Sequence, residues 1–323
     1  MLLRHWVKGD KMSDKDMRVV YTETLIEMAG KDDRVCVMEA DLMRATGTFP
    51  FKDAFPDRVV NVGVAEANMV GVASGLSAGG KIPFAATFGC FAARRTFDQF
   101  FISANYAQQN VKLVGTDPGI TAAFNGGTHM PFEDVGLMRC IPNLTIFEPC
   151  DTVSLKKLLQ QSKDHKGSTY MRLQRKGSNT IYKEETEIVL GKGNVLEEGT
   201  DITIIASGYV MVAEAIKAAE SLKNEGISVR LVDMHTVKPL DKKLVLDCAE
   251  KTGAIVVCEN HQKACGLFSA ISEMLAQEKP TIVEAVAVED KFGQVGTLDF
   301  LIEEYKLSAP NIVEKAKKAI SRK

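Results

Sequence analysis

A chain of 323 residues, 45% hydrophobic and 25% charged, has material for two domains with substantial cores. Forty Lys and Arg against 42 Asp and Glu leave a net charge of −2, which argues against a nucleic-acid-binding surface and against a disordered acidic tail. No apolar run reaches membrane-spanning length, the opening "MLLRHWVKGDKMSDKDMR" lacks a signal-peptide core, and the seven cysteines form no CxxC pair, so a reduced, soluble, cytoplasmic protein is expected.

In chain order, residues 17–29 read as a helix and "RVCVMEAD" as a strand. "RVVNVGV" is a strand that feeds the helix "EANMVGVASGLSAGG", closed by Gly79 and Gly80. The strand "KIPFAATF" precedes a helix through "RRTFDQFFISANYAQQ" and the strand "VKLVGTD". A glycine-containing loop, 117–130, leads through "EDVGLMRCIP" to the strand "LTIFEP", helix 151–163 and the strand "STYMRLQR". The polar segment 176–200 reads as a linker. Beyond it, strands "DITIIASG", "SVRLVDMHTV", "GAIVVCEN" and "TIVEAVAV" alternate with helices near 210–225, 241–251, 266–277 and 297–305. Short apolar strands alternating with helices predict an α/β fold with parallel sheets covered on both faces. Two domains are expected, 1–185 and a smaller 186–323.

GxGxxG, GxxxxGK[ST] and GxSxG are absent, and no His/Cys group has zinc spacing. Glu66 is a lone carboxylate in the apolar run "VVNVGVAEANMVGVASG", at a strand end and a helix start. Local chemistry alone favours a first-turn glutamate facing the helix dipole. Strand ends are also where ligands gather in open α/β sheets. Phe88 and Phe91 in "TFGCFAARR" read as core by default, yet rings beyond a strand end could sandwich a flat heteroaromatic group. His129 stands in a glycine loop, a candidate for acid–base work. Arg18, Arg172 and Arg175 lie near element ends, where arginine can grip an anion or simply be solvated.

"MEADL", "VGVAEANMVGVASGLSAGGKIPFAATF", "GGTHMPFED", "IPNLTIFEPCD", "YMRLQR", "VDMHTVKPLD" and "ENHQKACG", in that order and spacing, resemble the C-terminal half of a transketolase. The resemblance covers nearly the whole chain and implies a pyrimidine-binding domain followed by a transketolase C-terminal domain. It implies that Glu66 shares a proton with N1′ of the aminopyrimidine of thiamine diphosphate, which reverses the capping reading. It assigns Phe91 to stacking on that ring, Phe88 beside it, and Asp41 to the cofactor. His129 falls near the reacting carbons, with Asn125 beside the donor hydroxyls. Arg18 and Arg175 fall at the anionic end of the sugar. His235 and His261 fall to structure. The implied reaction moves a two-carbon ketol unit from a ketose to an aldose.

Several positions depart from the family. "NGGTH" replaces the usual "DGPTH", so Asn125 stands for an aspartate; Asp117 stands for a histidine, and Ala45 for a phosphate-binding serine, with Arg44, Thr46 and Thr48 nearby. A branched or sulfonated sugar is compatible with these changes. No GDG occurs, so a separate N-terminal subunit is expected to hold the diphosphate and the magnesium or calcium, in an α2β2 heterotetramer built on a self-dimer of this chain. Two other readings stay open: the β subunit of a 2-oxo acid dehydrogenase, against which "GGTH" argues, and a non-catalytic regulatory subunit, against which Glu66 argues.

Overall fold

The structure is a computed structural model that describes residues 15–177 and 179–323; most of the opening segment read for a signal peptide lies outside the described residues. The first unit contributes six strands to a seven-stranded sheet: β1 (Val35–Glu39), β2 (Val59–Asn61), β3 (Ile82–Phe88), β4 (Lys112–Thr116), β5 (Thr145–Phe147) and β6 (Thr169–Leu173). They run parallel in the spatial order β5-β6-β4-β3-β1-β2. Residues on both faces of β1, β4 and β6 are buried, because helices cover the sheet on both sides. The second unit contains β7 (Asn194–Glu197), β8 (Ile202–Ala206), β9 (Val229–Asp233), β10 (Thr236–Lys238), β11 (Ala254–Gln262) and β12 (Ile282–Val288). Five of these form the sheet β12-β11-β8-β9-β7, parallel except for β7 against β9. The α/β class and the two-domain plan hold. No helix among the described residues is long and apolar enough to cross a membrane.

Four elements differ from the sequence reading. "SVRLVDMHTV" is two strands, not one: β9 lies in the second sheet, while β10 crosses to pair antiparallel with β5 of the first. The switch is fixed by His235, buried between them with Nδ1 3.0 Å from Thr236 Oγ1 and Nε2 3.1 Å from Asn194 Oδ1. The linker is not free chain. It contains β7, and its Ile181, Tyr182 and Ile188 are buried. The Asp151 carboxylate, which also caps the helix Thr152–Asp164, accepts the amides of Ile181 and Tyr182. The helix through "RRTFDQFFISANYAQQ" is broken into Gly89–Arg94, Phe97–Gln99 and a π-helical Phe100–Tyr106. Thr96 interrupts it by donating its hydroxyl back to Ala92 O. A terminal helix, Ala309–Ile320, adds to the expected elements; Pro310 sits in its first turn, where no amide donor is needed.

Candidate active site

The carboxyl ends of β2, β1, β3, β4 and β6 lie side by side, and each releases a candidate residue: Glu66 after β2, Asp41 after β1, Phe88 ending β3, the 117–129 loop after β4 and Arg175 after β6. Glu66 opens the helix Glu66–Ala78 and is 4% exposed. Its side-chain partner among the described residues is Arg95, whose Nη1 donates to Glu66 Oε1 at 2.9 Å. The Arg95 guanidinium also lies over the Phe91 ring, 3.8 Å from its centroid. One planar cation therefore bridges the buried carboxyl and the aromatic face.

Phe88, Phe91 and His129 form a ring cluster. Centroids are 5.8 Å apart for Phe88–Phe91, 5.7 Å for Phe88–His129 and 5.2 Å for Phe91–His129. The helix starting at Gly89 can approach so closely because Gly89 has no side chain; a Cβ there would lie 3.0 Å from Pro131 and 3.2 Å from Thr116 O. His129 Nδ1 is 2.9 Å from Thr128 Oγ1, and among the described residues Nε2 has no protein partner. A cleft of about 240 Å³ opens here, lined by Cys90, Phe91, Arg94, Arg95, Thr128 and His129. A larger cavity of about 820 Å³ in the second domain, around Leu275, Pro280 and Ile282, shares none of these residues.

The two predicted arginines adjoin: Arg18 N donates to Arg175 O at 3.1 Å. The Arg175 guanidinium lies 5.3 Å from the Phe88 centroid, with Nε 2.9 Å from Asp117 Oδ2. Burial pushes the Asp117 carboxyl up, with Arg175 opposing the shift. Arg18 donates to Ala45 O at 3.2 Å, so the backbone at the position of the missing serine is taken up by arginine. Asn125 is exposed at the end of a 3₁₀ turn, on the same loop as His129. Asp41 is exposed at φ 63°, held by its amide to Asn61 Oδ1 at 2.9 Å.

Thr46 and Thr48 are not available as substitutes for the serine. Both are buried, and both donate their hydroxyls to Glu39 Oε1, at 2.7 and 2.6 Å. Burial pushes Glu39 up to about 7 against these two hydrogen bonds. Arg172 also departs from the anion reading. It is buried and bound to Asp134, Glu148 and the Asn260 carbonyl. His261, equally buried, accepts from Gly136 N at 3.2 Å, and burial takes its ring down to about 4. Sequence reasoning does not single out Arg95 or Asn61. Arg95 carries a faint signal, as the second of two arginines one helical turn beyond Phe91. Among the described residues no group of three or more His, Cys, Asp or Glu could hold a metal ion.

The pyrimidine-binding domain of transketolase matches residues 13–179, and the transketolase C-terminal domain matches residues 191–312. The 6-deoxy-6-sulfo-D-fructose transketolase subunit SqwH of Clostridium sp. (strain MSTE9) is 47% identical, with 97% of each chain covered. A subunit of the apulose-4-phosphate transketolase of Phocaeicola vulgatus is 32% identical over 93% of this chain and 96% of its own. Rat transketolase is 34% identical over 87% of this chain, which spans 45% of the rat protein. A split-gene transketolase solved as an inactive β4 tetramer superposes with a TM-score of 0.87 at 39% identity, covering 95% of this chain and 98% of that one. The chain belongs to the transketolase family and is a split transketolase subunit, carrying the pyrimidine-binding and C-terminal domains.

Proposed function

We propose that this subunit serves a thiamine-diphosphate-dependent transfer of a two-carbon ketol unit from an anionic ketose to an aldose, together with a separate N-terminal subunit. The observation that carries the proposal is the meeting of Glu66, Phe91 and Arg95. A flat group bearing N–H donors already lies against the Phe91 ring and bonds the Glu66 carboxyl. An aminopyrimidine has the same two attributes, so the residues present fit it. When bound, thiamine diphosphate supplies a thiazolium carbon that can carry the ketol unit.

Glu66 would hold a proton at N1′, and its burial keeps water from competing for that contact. Phe91 and Phe88 would flank the ring, with Asp41 at the edge of the cofactor site. His129, its Nδ1 engaged by Thr128, would turn Nε2 to the substrate near the reacting carbons. Arg18 and Arg175 would hold the anionic end of the sugar, and Asn125 would face the donor hydroxyls. The relatives named for a sulfonated and for a phosphorylated ketose support an anionic sugar, and Asn125 and Ala45 fit a donor unlike the usual one. The diphosphate and its magnesium or calcium are assigned to the N-terminal subunit, in a cytoplasmic α2β2 assembly.

Product analysis tests the reaction class. The chain and its partner, given 6-deoxy-6-sulfofructose and glyceraldehyde 3-phosphate, should form the ketose that is two carbons longer than the acceptor. Decarboxylation of a 2-oxo acid without ketol transfer would refute the proposal.

A further inference from the structure

The second domain grips the loop that carries Asn125 and His129. Asn260, near the carboxyl end of β11, is 2% exposed. Its Nδ2 donates to Pro118 O at 2.9 Å, and its Oδ1 accepts from Ile120 N at 3.0 Å. The carboxamide thus copies the pairing of a neighbouring strand on both sides of Gly119. At that glycine φ is +53°, and a Cβ would come 2.1 Å from Asn260 Oδ1. The Asn260 carbonyl in turn accepts from Arg172 Nη2 at 2.9 Å. Two residues on, Gln262 N donates to Phe132 O at 2.8 Å, just beyond the far end of the loop. Midway, a Cβ on Gly127 would lie 2.1 Å from the Gly293 carbonyl, so the two backbones touch.

The loop needs this support. Asp117 at φ 55° and Ala123 at φ 47°, ψ −114° are non-glycine residues in sparsely populated backbone conformations. Such conformations persist only where the surroundings fix them. At the loop's root Asn260 is the acceptor for the buried Ile120 amide, and it adds a donor from the second domain to the Pro118 carbonyl, which otherwise accepts only from Thr121 of the loop itself. The hydrogen bonds of the carboxamide go to Pro118 and Ile120, and not to the elements that carry Glu66, Phe91 and Arg95.

We infer that Asn260 is a positioning residue: its carboxamide sets the root of the 117–129 loop, and through it the second domain seats His129 against the Phe88 and Phe91 rings and fixes the stretch that carries Asn125. This inference rests on the ketol transfer proposed above. A loop freed at its root lets His129 drift from its place, and small misplacements act on turnover more than on cofactor affinity.

The test compares wild type with Asn260→Ala and Asn260→Ser. Amide hydrogen exchange is followed on the full chain; steady-state kinetics and thiamine diphosphate affinity are measured on the chain assembled with its partner, with 6-deoxy-6-sulfofructose as donor. In both variants exchange across 118–129 should accelerate about tenfold or more, while peptides from β1 and β3 keep their protection. Turnover should fall about 10- to 100-fold with cofactor affinity unchanged. Unchanged exchange in the loop would overturn the inference. So would a parallel loss of cofactor affinity and turnover, which would make Asn260 a support of the whole fold. Should Asn260→Ala fail to fold, Asn260→Ser, which keeps a small polar group, decides by the same criteria. If the wild-type pair transfers no ketol unit, the proposed function fails, while loop exchange still decides whether Asn260 clamps the loop.

Discussion

Replacing Arg95 by alanine should tighten the binding of thiamine diphosphate to the assembled enzyme. Arg95 now occupies both features assigned to the aminopyrimidine, the Glu66 carboxyl at 2.9 Å and the Phe91 face at 3.8 Å. The cofactor must displace those contacts before making its own. Although Glu66 is buried, the Arg95 side chain is 49% exposed, so the pair takes the modest value of an exposed ion pair, about 0.2–1 kcal/mol. The stacking on Phe91 adds about 0.5–1 kcal/mol, the figure for exposed cation–π contacts. Their sum, about 0.7–2 kcal/mol, corresponds to a roughly 3- to 30-fold lower Kd in Arg95→Ala. Removing the guanidinium also leaves the Glu66 carboxyl without its partner, which favours cofactor binding in the same direction. Calorimetric titration of thiamine diphosphate into wild type and variant, at fixed magnesium, reads the difference. Arg95→Lys, which keeps the charge but loses the planar fork, should fall between them. Weaker binding in Arg95→Ala would show that Arg95 does not compete with the cofactor and would make it a ligand instead.

Other outcomes follow from the same contacts. Glu66→Gln should keep its hydrogen bond from Arg95 and its fold but lose ~10²–10⁴-fold in turnover, because an amide cannot exchange the proton; normal turnover would return Glu66 to helix capping. Phe91→Ala should raise the cofactor Kd about 2- to 13-fold and change sugar binding less, as stacked rings contribute about 0.5–1.5 kcal/mol beyond burial; equal losses would make Phe91 simply core. Arg175→Ala should raise KM for an anionic ketose far more than for its neutral counterpart, whereas His129→Ala should lower kcat for both; equal damage by Arg175→Ala to both sugars would end the anion-grip assignment. Burial pushes Asp233 up to about 7, although Tyr182 and Cys150 donate to its Oδ2. The unfolded chain releases that proton near pH ~3.9, so between these values the folded state holds more protons and stability falls as pH rises. Asp233→Asn should flatten urea-unfolding stability across that window, with Glu39 and Glu259, also near 7, leaving a residual slope; an unchanged slope would contradict the assignment.

The legible parts of the fold are those where pattern and packing agree. The buried runs of β1, β4 and β6 announce a covered parallel sheet, and Glu66 stands out as a charge in an apolar stretch. Strand ends can be located, and with them Phe88, Phe91 and the glycine loop. The crossing of β10 is hidden, because the apolar character of "LVDMHTV" continues through a change of sheet that only Asn194, Thr236 and β5 define. Thr46 and Thr48 look like neighbours of a sugar anion in the sequence, yet a buried Glu39 needs hydroxyl donors and turns them inward. Arg95 and Asn260 are illegible for a shared reason. An arginine at a helix end and an asparagine at a strand end are common, and only tertiary contacts with Glu66, Phe91, Pro118 and Ile120 give them a task.

If this chain supplies one wall of an active site completed by another polypeptide, activity must follow a titration of the partner. The chain alone, with saturating thiamine diphosphate and magnesium, should transfer no ketol unit. Adding a diphosphate-binding N-terminal transketolase subunit should raise activity linearly to a plateau at one partner per chain. Ketol transfer by the chain alone, or a rate indifferent to the partner, would contradict the account.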